Sequence, residues 1–223
     1  MSVLQSLRDA WHGSQFRDQT ARALILPDRL AAPPWYGDFC LRPIRESDQE
    51  EWNRLRWDNR DWLAPWESGD PTHGPGMSYA QWISSLERSR REGSSALFLM
   101  EFQTRLVGQI SLGAICYGAM RTAVVGYWVA EKWIGHGFAP LSLALLADWA
   151  FRADTGPHLH RIEVAILPEN QRSIAVARKV GLKPEGLRRG YMYVNGAWRD
   201  HLTFSLLAED YDSRILDRLQ GRS

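Results

Sequence analysis

Between residues 96 and 130 the sequence holds three β-rich stretches in a row: Ala96 to Phe102, Leu106 to Cys116 and Thr122 to Ala130. The connections between them are too short for helices, and the Gln103-Thr104 pair predicts a hairpin, so the three strands run antiparallel. The period then changes. Phe138, Leu141, Leu145 and Trp149 recur at helical spacing and predict a helix to about Ala153, after which Arg161 to Leu167 returns to strand alternation. A crossover of that length makes the strand ending at Ala130 parallel to the one beginning at Arg161. The fold class is therefore α+β, with a mixed sheet that contains one parallel junction. Ligands of such sheets favour the place where neighbouring strands part.

The flanking segments fill in the order β-α-α-β-β-β-α-β-α-β-β. Phe39 to Arg45 reads as the first strand, and Asp48 as the cap of a helix through about Arg60. Leu63 to Met77, which contains Pro65-Trp66-Glu67, reads as a long loop of the kind that carries function. Tyr79 to Arg91 reads as a helix. Asn170 caps a helix through Val180 that Gly181 stops. Leu187 to Val194 and Trp198 to Leu206 flank an Asn195-Gly196 hairpin turn. Residues 1–36 read as an N-terminal extension, with Leu4, Leu7 and Trp11 at helical spacing before Pro27, Pro33 and Pro34. Residues 37–208 are expected to form the main domain, and 209–223 a polar C-terminal helix or tail.

Composition narrows the classes. The chain of 223 residues carries 27 Lys plus Arg against 26 Asp plus Glu, which argues against holding nucleic acid by bulk charge. Cys40 and Cys116 are too few for a disulfide framework and read as small buried apolar groups. No stretch has the length of a membrane span, and Asp9, Asp18 and Asp28 interrupt the N-terminus where a secretory signal would be apolar, so a soluble, cytoplasmic protein is expected. His158, His160 and His201 lack metal-ligand spacing, and no metal is expected.

Gly135 and Gly137 fall between a strand and a helix. Without side chains there, several backbone N–H groups can approach one anion at the positive end of the helix, a cradle for phosphate or pyrophosphate. The same spacing also serves as a plain tight connection. The chain has no Gly-Lys-Ser/Thr of a P-loop, and Pro140 stands where a dinucleotide fingerprint needs a third small residue.

The run from Lys132 to Ala139 resembles the Q/R-x-x-G-x-G/A motif of the GNAT superfamily of acetyltransferases, with Lys132 in place of Arg or Gln. The resemblance extends from about Cys40 to Leu206 and is greatest to the RimJ/RimL branch of ribosomal-protein N-terminal acetyltransferases. Leu41-Arg42-Pro43, Pro65-Trp66-Glu67, His160-Arg161-Ile162-Glu163, Asn170-Gln171-Arg172-Ser173, Glu185-Gly186 and Gly196-Ala197-Trp198-Arg199-Asp200-His201 carry it, the last block on the RimJ side. The resemblance implies about seven strands, splayed in a V between the fourth and fifth. It implies acetyl-CoA as cofactor, held by Tyr127, Trp128, Val129, Lys132, Ile134, Gly135, His136, Gly137, Phe138, Ala139, Asn170 and Ser173, with Tyr127 to Ala130 contributing backbone. Ser173 is implied at the departing thiolate, and an N–H near Val129 at the developing oxyanion.

Transfer to an amine also needs that amine neutral. The family's glutamate on the fourth strand is missing from Ala123-Val124-Val125, and Met192 aligns with the RimL-like glutamate. Glu67, Tyr191, Glu163, Asp200 and Tyr193 remain as candidate bases, with Glu67 and Tyr191 taken beside Ser173 as the catalytic set. Trp57, Trp62, Trp66, Glu67 and Tyr193 are expected to line the acceptor groove. An α-amine has a pKa of about 8 and lysine about 10.4, so neutralising lysine costs roughly 3 kcal/mol more. A weak base therefore favours a protein N-terminus, such as that of a ribosomal protein, as acceptor. A small-molecule amine, a non-catalytic acyl-CoA sensor and a homodimer are left open.

Overall fold

The computed structural model describes residues 23–72, 76–210 and 213–222. Leu4, Leu7 and Trp11 lie outside them. The elements are β1 (Leu30–Ala31), β2 (Phe39–Pro43), α1 (Gln49–Asp58), α2 (Arg60–Leu63), α3 (Tyr79–Arg91), β3 (Ala96–Phe102), β4 (Arg105–Cys116), β5 (Thr122–Val129), α4 (Phe138–Arg152), β6 (Arg161–Ile166), α5 (Gln171–Val180), β7 (Lys183–Val194) and β8 (Ala197–Leu207).

One sheet runs in the order β1-β2-β3-β4-β5-β6-β8-β7, eight strands rather than seven. The added strand is β1, whose two residues pair with Leu41 and Cys40, so the described end of the N-terminal extension is part of the sheet edge. The β5–β6 pair is the parallel one, and it is short: Thr122, Ala123 and Val124 pair with Arg161, Ile162 and Glu163. Beyond Val124 the two strands part, which is the expected V.

The pleat sends alternate side chains of β5 to opposite faces. Ala123, Val125, Tyr127 and Val129 join the large core under α4 and α5, whereas Trp128 packs with Leu55, Leu97 and Leu99 on the face covered by α1 and α3. Helix α4 is buried around most of its circumference, Leu143, Leu146, Ala147 and Ala150 included, which its single expected apolar face understates. The cause lies at the chain's end. The described residues among 209–219 do not form a polar α-helix. They make 3-10 turns at Ala208–Asp210 and Ile215–Arg222, and Ile215, Leu216 and Leu219 bury against the core. The Asp148 carboxylate of α4 accepts the Ile215 and Leu216 N–H groups at 2.8 and 3.2 Å, and burial pushes its pKa up.

Asp48 precedes α1 as expected, but its carboxylate does not cap that helix. It takes two guanidinium bonds from Arg42 at 2.8 Å and the Arg45 N–H at 2.7 Å. A buried ion pair outcompetes a cap because an unpaired buried guanidinium costs more than a frayed helix end. Arg42 also holds Glu101 of β3, so one guanidinium joins β2, β3 and the start of α1. Cys40 is buried as expected, but Cys116 is exposed at the end of β4. Replacing Asp48 with Ala leaves Arg42 paired with Glu101 alone and two of its guanidinium bonds unmade, and urea unfolding should show a loss of about 2 kcal/mol. A loss below about 1 kcal/mol would contradict this account.

Candidate active site

Helices α4 and α5 follow β5 and β6 respectively, so both N-termini lie at the end of the sheet where the V opens. Gly137 is the N-cap of α4, with φ of 78°, and Gly135 has φ of 85°. Both are left-handed conformations that glycine adopts without strain. A Cβ added at either would meet nothing within 4 Å, so the space above them is open. The backbone N–H groups of Gly135, His136, Gly137, Phe138 and Ala139 make no hydrogen bond among the described residues, while the Gly137 carbonyl starts the helix by accepting from Leu141. Pro140 occupies the first turn, where its missing N–H costs nothing.

These groups open on a cavity of about 410 Å³. Ten of the twelve residues expected at the cofactor line it: Tyr127, Trp128, Val129, Ile134, Gly135, Gly137, Phe138, Ala139, Asn170 and Ser173. Lys132 and His136 do not. The Lys132 ammonium stands over the Trp133 ring, and exposed His136 sets Nδ1 3.2 Å from the Ile134 carbonyl. Trp133, Arg172 and Lys179 line the cavity without having been expected there. Arg172, Val176 and Lys179 recur at helical spacing in the helix that Asn170 caps, a signal the sequence carried. The buried Trp133 indole N–H has no partner among the described residues. Free amides, an orphan donor and two cations fit an elongated anionic cofactor such as a coenzyme A thioester.

The backbone of β5 is directed by its ladder. Ala130 N–H donates to Val107 at 2.8 Å, and antiparallel alternation therefore turns residues 126 and 128 toward β4 as well. The N–H and C=O groups of Tyr127 and Val129 face the V. Trp62, expected in the acceptor groove, lines the first cavity and donates its indole N–H to the Val129 carbonyl at 3.2 Å, with the Arg172 guanidinium 4.9 Å from its ring. Asn59 ties the same region together. Its Oδ1 accepts the Glu131 N–H and its Nδ2 donates to the Leu55 carbonyl, both at 2.8 Å.

A second cavity of about 440 Å³ shares Leu63, Trp66, Tyr127, Trp128, Asn170 and Ser173 with the first. It extends toward Trp52, Trp82, Gln109 and Ser111 on the face covered by α1 and α3. Glu67 is the one carboxylate lining either cavity among the described residues. It is ion-paired with Arg56, whose guanidinium lies 5.9 Å from the Trp52 ring and 5.3 Å from that of Trp128. Arg56, Trp52 and Gln109 were not singled out as site residues from the sequence, because nothing in their local pattern separates a cavity wall from a helix or sheet face.

The remaining candidates stand elsewhere. Tyr191 packs edge-on against His201 under the Arg188 guanidinium, and Tyr193 against Trp198; neither lines either of these two cavities. The Tyr193 carbonyl instead accepts the Gly69 N–H, and Ser68 bridges Val194, so β7 anchors the loop that carries Glu67. Trp57 is exposed with Arg60 stacked on it. Glu163 is held by Arg161 and Arg188, and Asp200 accepts the Gly190 N–H. At the junction of the cavities, Asn170 Oδ1 caps α5 by accepting the Ser173 N–H at 3.1 Å, and the Ser173 hydroxyl meets the Tyr127 hydroxyl at 2.7 Å.

Among known proteins, the acetyltransferase (GNAT) domain family matches residues 38–183. The probable N-acetyltransferase YjcK of Bacillus subtilis (strain 168) is 30% identical over 175 residues, which is 76% of this chain and 94% of that protein. The [ribosomal protein uS5]-alanine N-acetyltransferase of Escherichia coli (strain K12) is 25% identical over 169 residues, 74% of this chain and 86% of that one. Mycobacterium smegmatis RimJ in complex with CoA-disulfide superposes with a TM-score of 0.75 at 37% identity, covering 83% of this chain and 90% of that chain. The chain belongs to the GNAT acetyltransferase family, on its RimJ/RimL-like branch, and acetyl-CoA is its acyl donor.

Proposed function

We propose that the protein acetylates the N-terminal α-amine of a protein, with cofactor and acceptor entering the V from opposite sides of the sheet. The observation that carries this reading is the pair of cavities meeting at Tyr127, Trp128, Asn170 and Ser173. Acetyl-CoA supplies an activated acetyl thioester whose sulfur leaves as a thiolate. The amides of residues 135–139 hold its diphosphate, and the outward backbone groups of Tyr127 hold the pantetheine arm. The Val129 N–H faces the negative charge that develops on the carbonyl oxygen, while Trp62 keeps the Val129 peptide fixed by occupying its carbonyl. Ser173 faces the sulfur.

On the other side Glu67 receives the acceptor amine and takes its proton, directly or through water. Its exchange of Arg56 for the incoming ammonium is local, because the two indoles that flank Arg56 still hold that guanidinium. A single carboxylate suffices for an α-amine, which sheds its proton at about 8, better than for lysine at about 10.4. The uS5-directed relative from Escherichia coli supports a ribosomal protein as the acceptor. One carboxylate matched by one guanidinium also gives the acceptor cavity no net pull on polyamines or aminoglycosides, which disfavours the small-amine reading.

Two variants separate the halves of the site. Gly137→Glu puts a side chain and a negative charge where the diphosphate lies, and calorimetry should show acetyl-CoA affinity falling by at least about 100-fold, or roughly 2.7 kcal/mol. Unchanged affinity would remove the cradle from the site. Glu67→Gln should lower kcat/KM on an alanine-initiated peptide by about 100-fold while acetyl-CoA affinity holds. Full activity in Glu67→Gln, or efficient transfer to spermidine with none to peptides, would overturn the acceptor reading.

A further inference from the structure

Tyr127 enters the sequence reading through its backbone alone, yet its side chain has a definite place. The hydroxyl lies 2.7 Å from Ser173 Oγ and 3.4 Å from the Ser173 carbonyl, and both residues line both cavities. Ser173 is itself fixed, because its N–H is taken by Asn170. Burial pushes the Tyr127 phenol up to about 12, so it stays protonated at neutral pH. Either hydroxyl of the pair can donate, and the phenol, the stronger acid, is the better donor, with the serine oxygen nearer to it than the Ser173 carbonyl. The Ser173 oxygen then has one lone pair occupied and its own hydrogen free to point into the cavity, and a donor that is itself an acceptor is polarised into a stronger donor.

We propose that Tyr127 is a positioning residue that orients the Ser173 hydroxyl as a hydrogen-bond donor to the cofactor sulfur, so that the leaving group departs as a hydrogen-bonded thiolate. This rests on the placement of Ser173 at the sulfur proposed above. In the transfer the amine nitrogen bonds the thioester carbonyl carbon, the C–S bond breaks with its electron pair going to sulfur, and the nitrogen releases one proton to Glu67 or water. No proton leaves the hydroxyl pair. A phenol near 12 lies far above a thiol at about 8.5, so sulfur receives a hydrogen bond from this pair and not a proton.

The thiol of CoA bound to the full-length protein reports this without any acceptor present. Its ionisation is followed by the ultraviolet absorbance of the thiolate as pH is raised, with calorimetry for affinity. In the wild type, bound CoA should ionise about one pH unit lower than free CoA, a tenfold effect. Ser173→Ala should return it to the free value and Tyr127→Phe part of the way. Tyr127→Phe keeps the ring, so CoA affinity should stay within about twofold, and kcat should fall about tenfold, as expected for weakening one hydrogen bond to a charged group. A lowered thiol pKa that Tyr127→Phe leaves unchanged overturns this inference and leaves the site standing. Wild-type protein that fails to bind CoA overturns the site reading and this inference with it.

Discussion

The site depends on how briefly β5 and β6 pair. Three residue pairs hold them together, and the strands then diverge. Had the ladder continued, the backbone groups of Tyr127 and Val129 would be consumed by the sheet, and no cleft would pass between its faces. Because the pairing is parallel, the helices that follow each strand begin at the same end. The turn before the 15-residue α4 and the helix's first two residues supply five free amides, and the 10-residue α5 brings Ser173 and its cap Asn170. Both positive helix ends thus converge on the opening.

Each face of the V is held by a different kind of contact. On the α4/α5 face the walls are packed core, closed at the rear by the C-terminal turns that Asp148 secures. On the α1/α3 face the walls are few and aromatic, and buried polar contacts place them. Arg42 sets the start of α1 through Asp48, Asn59 joins its end to the turn before the cradle, and Trp62 reaches across to Val129. The segment 49–63 is therefore held to the sheet at its start and registered against the cofactor side at two points, Asn59 and Trp62. Such fixing matters because transfer is sensitive to displacements of about 1 Å between amine and thioester.

The cofactor half was more legible in the sequence than the acceptor half. Alternation at Thr122–Val129 and Arg161–Ile166, the helical period after Phe138 and the Asn195-Gly196 turn are local signals, and they located the elements to within a few residues. Gly135 and Gly137 were readable because their backbone geometry excludes most other residues. Asn170 was readable because capping is a short-range bond. The two residues of β1 carry no periodicity and become a strand only against β2. Asp48 matched a cap, but its partner Arg42 is set by tertiary packing. Ile215 and Leu216 stand in a segment of polar composition, and their burial against the core is set by tertiary packing. Trp62 and Tyr127 were noted as aromatic wall and backbone edge; the bonds of the indole N–H and the phenol span 67 and 46 residues, which no local pattern reveals.

The central claim is that one cleft through the sheet receives cofactor and acceptor from opposite faces. A crystal structure of the protein with a CoA–peptide conjugate, the sulfur joined through an acetyl bridge to the peptide's α-nitrogen, tests it most directly. The account predicts the diphosphate on the amides of residues 135–139, the sulfur beside Ser173, and the peptide leaving past Trp66 and Glu67 on the α1/α3 face. A conjugate lying wholly on one face of the sheet, or a peptide arm remote from Glu67, would contradict it.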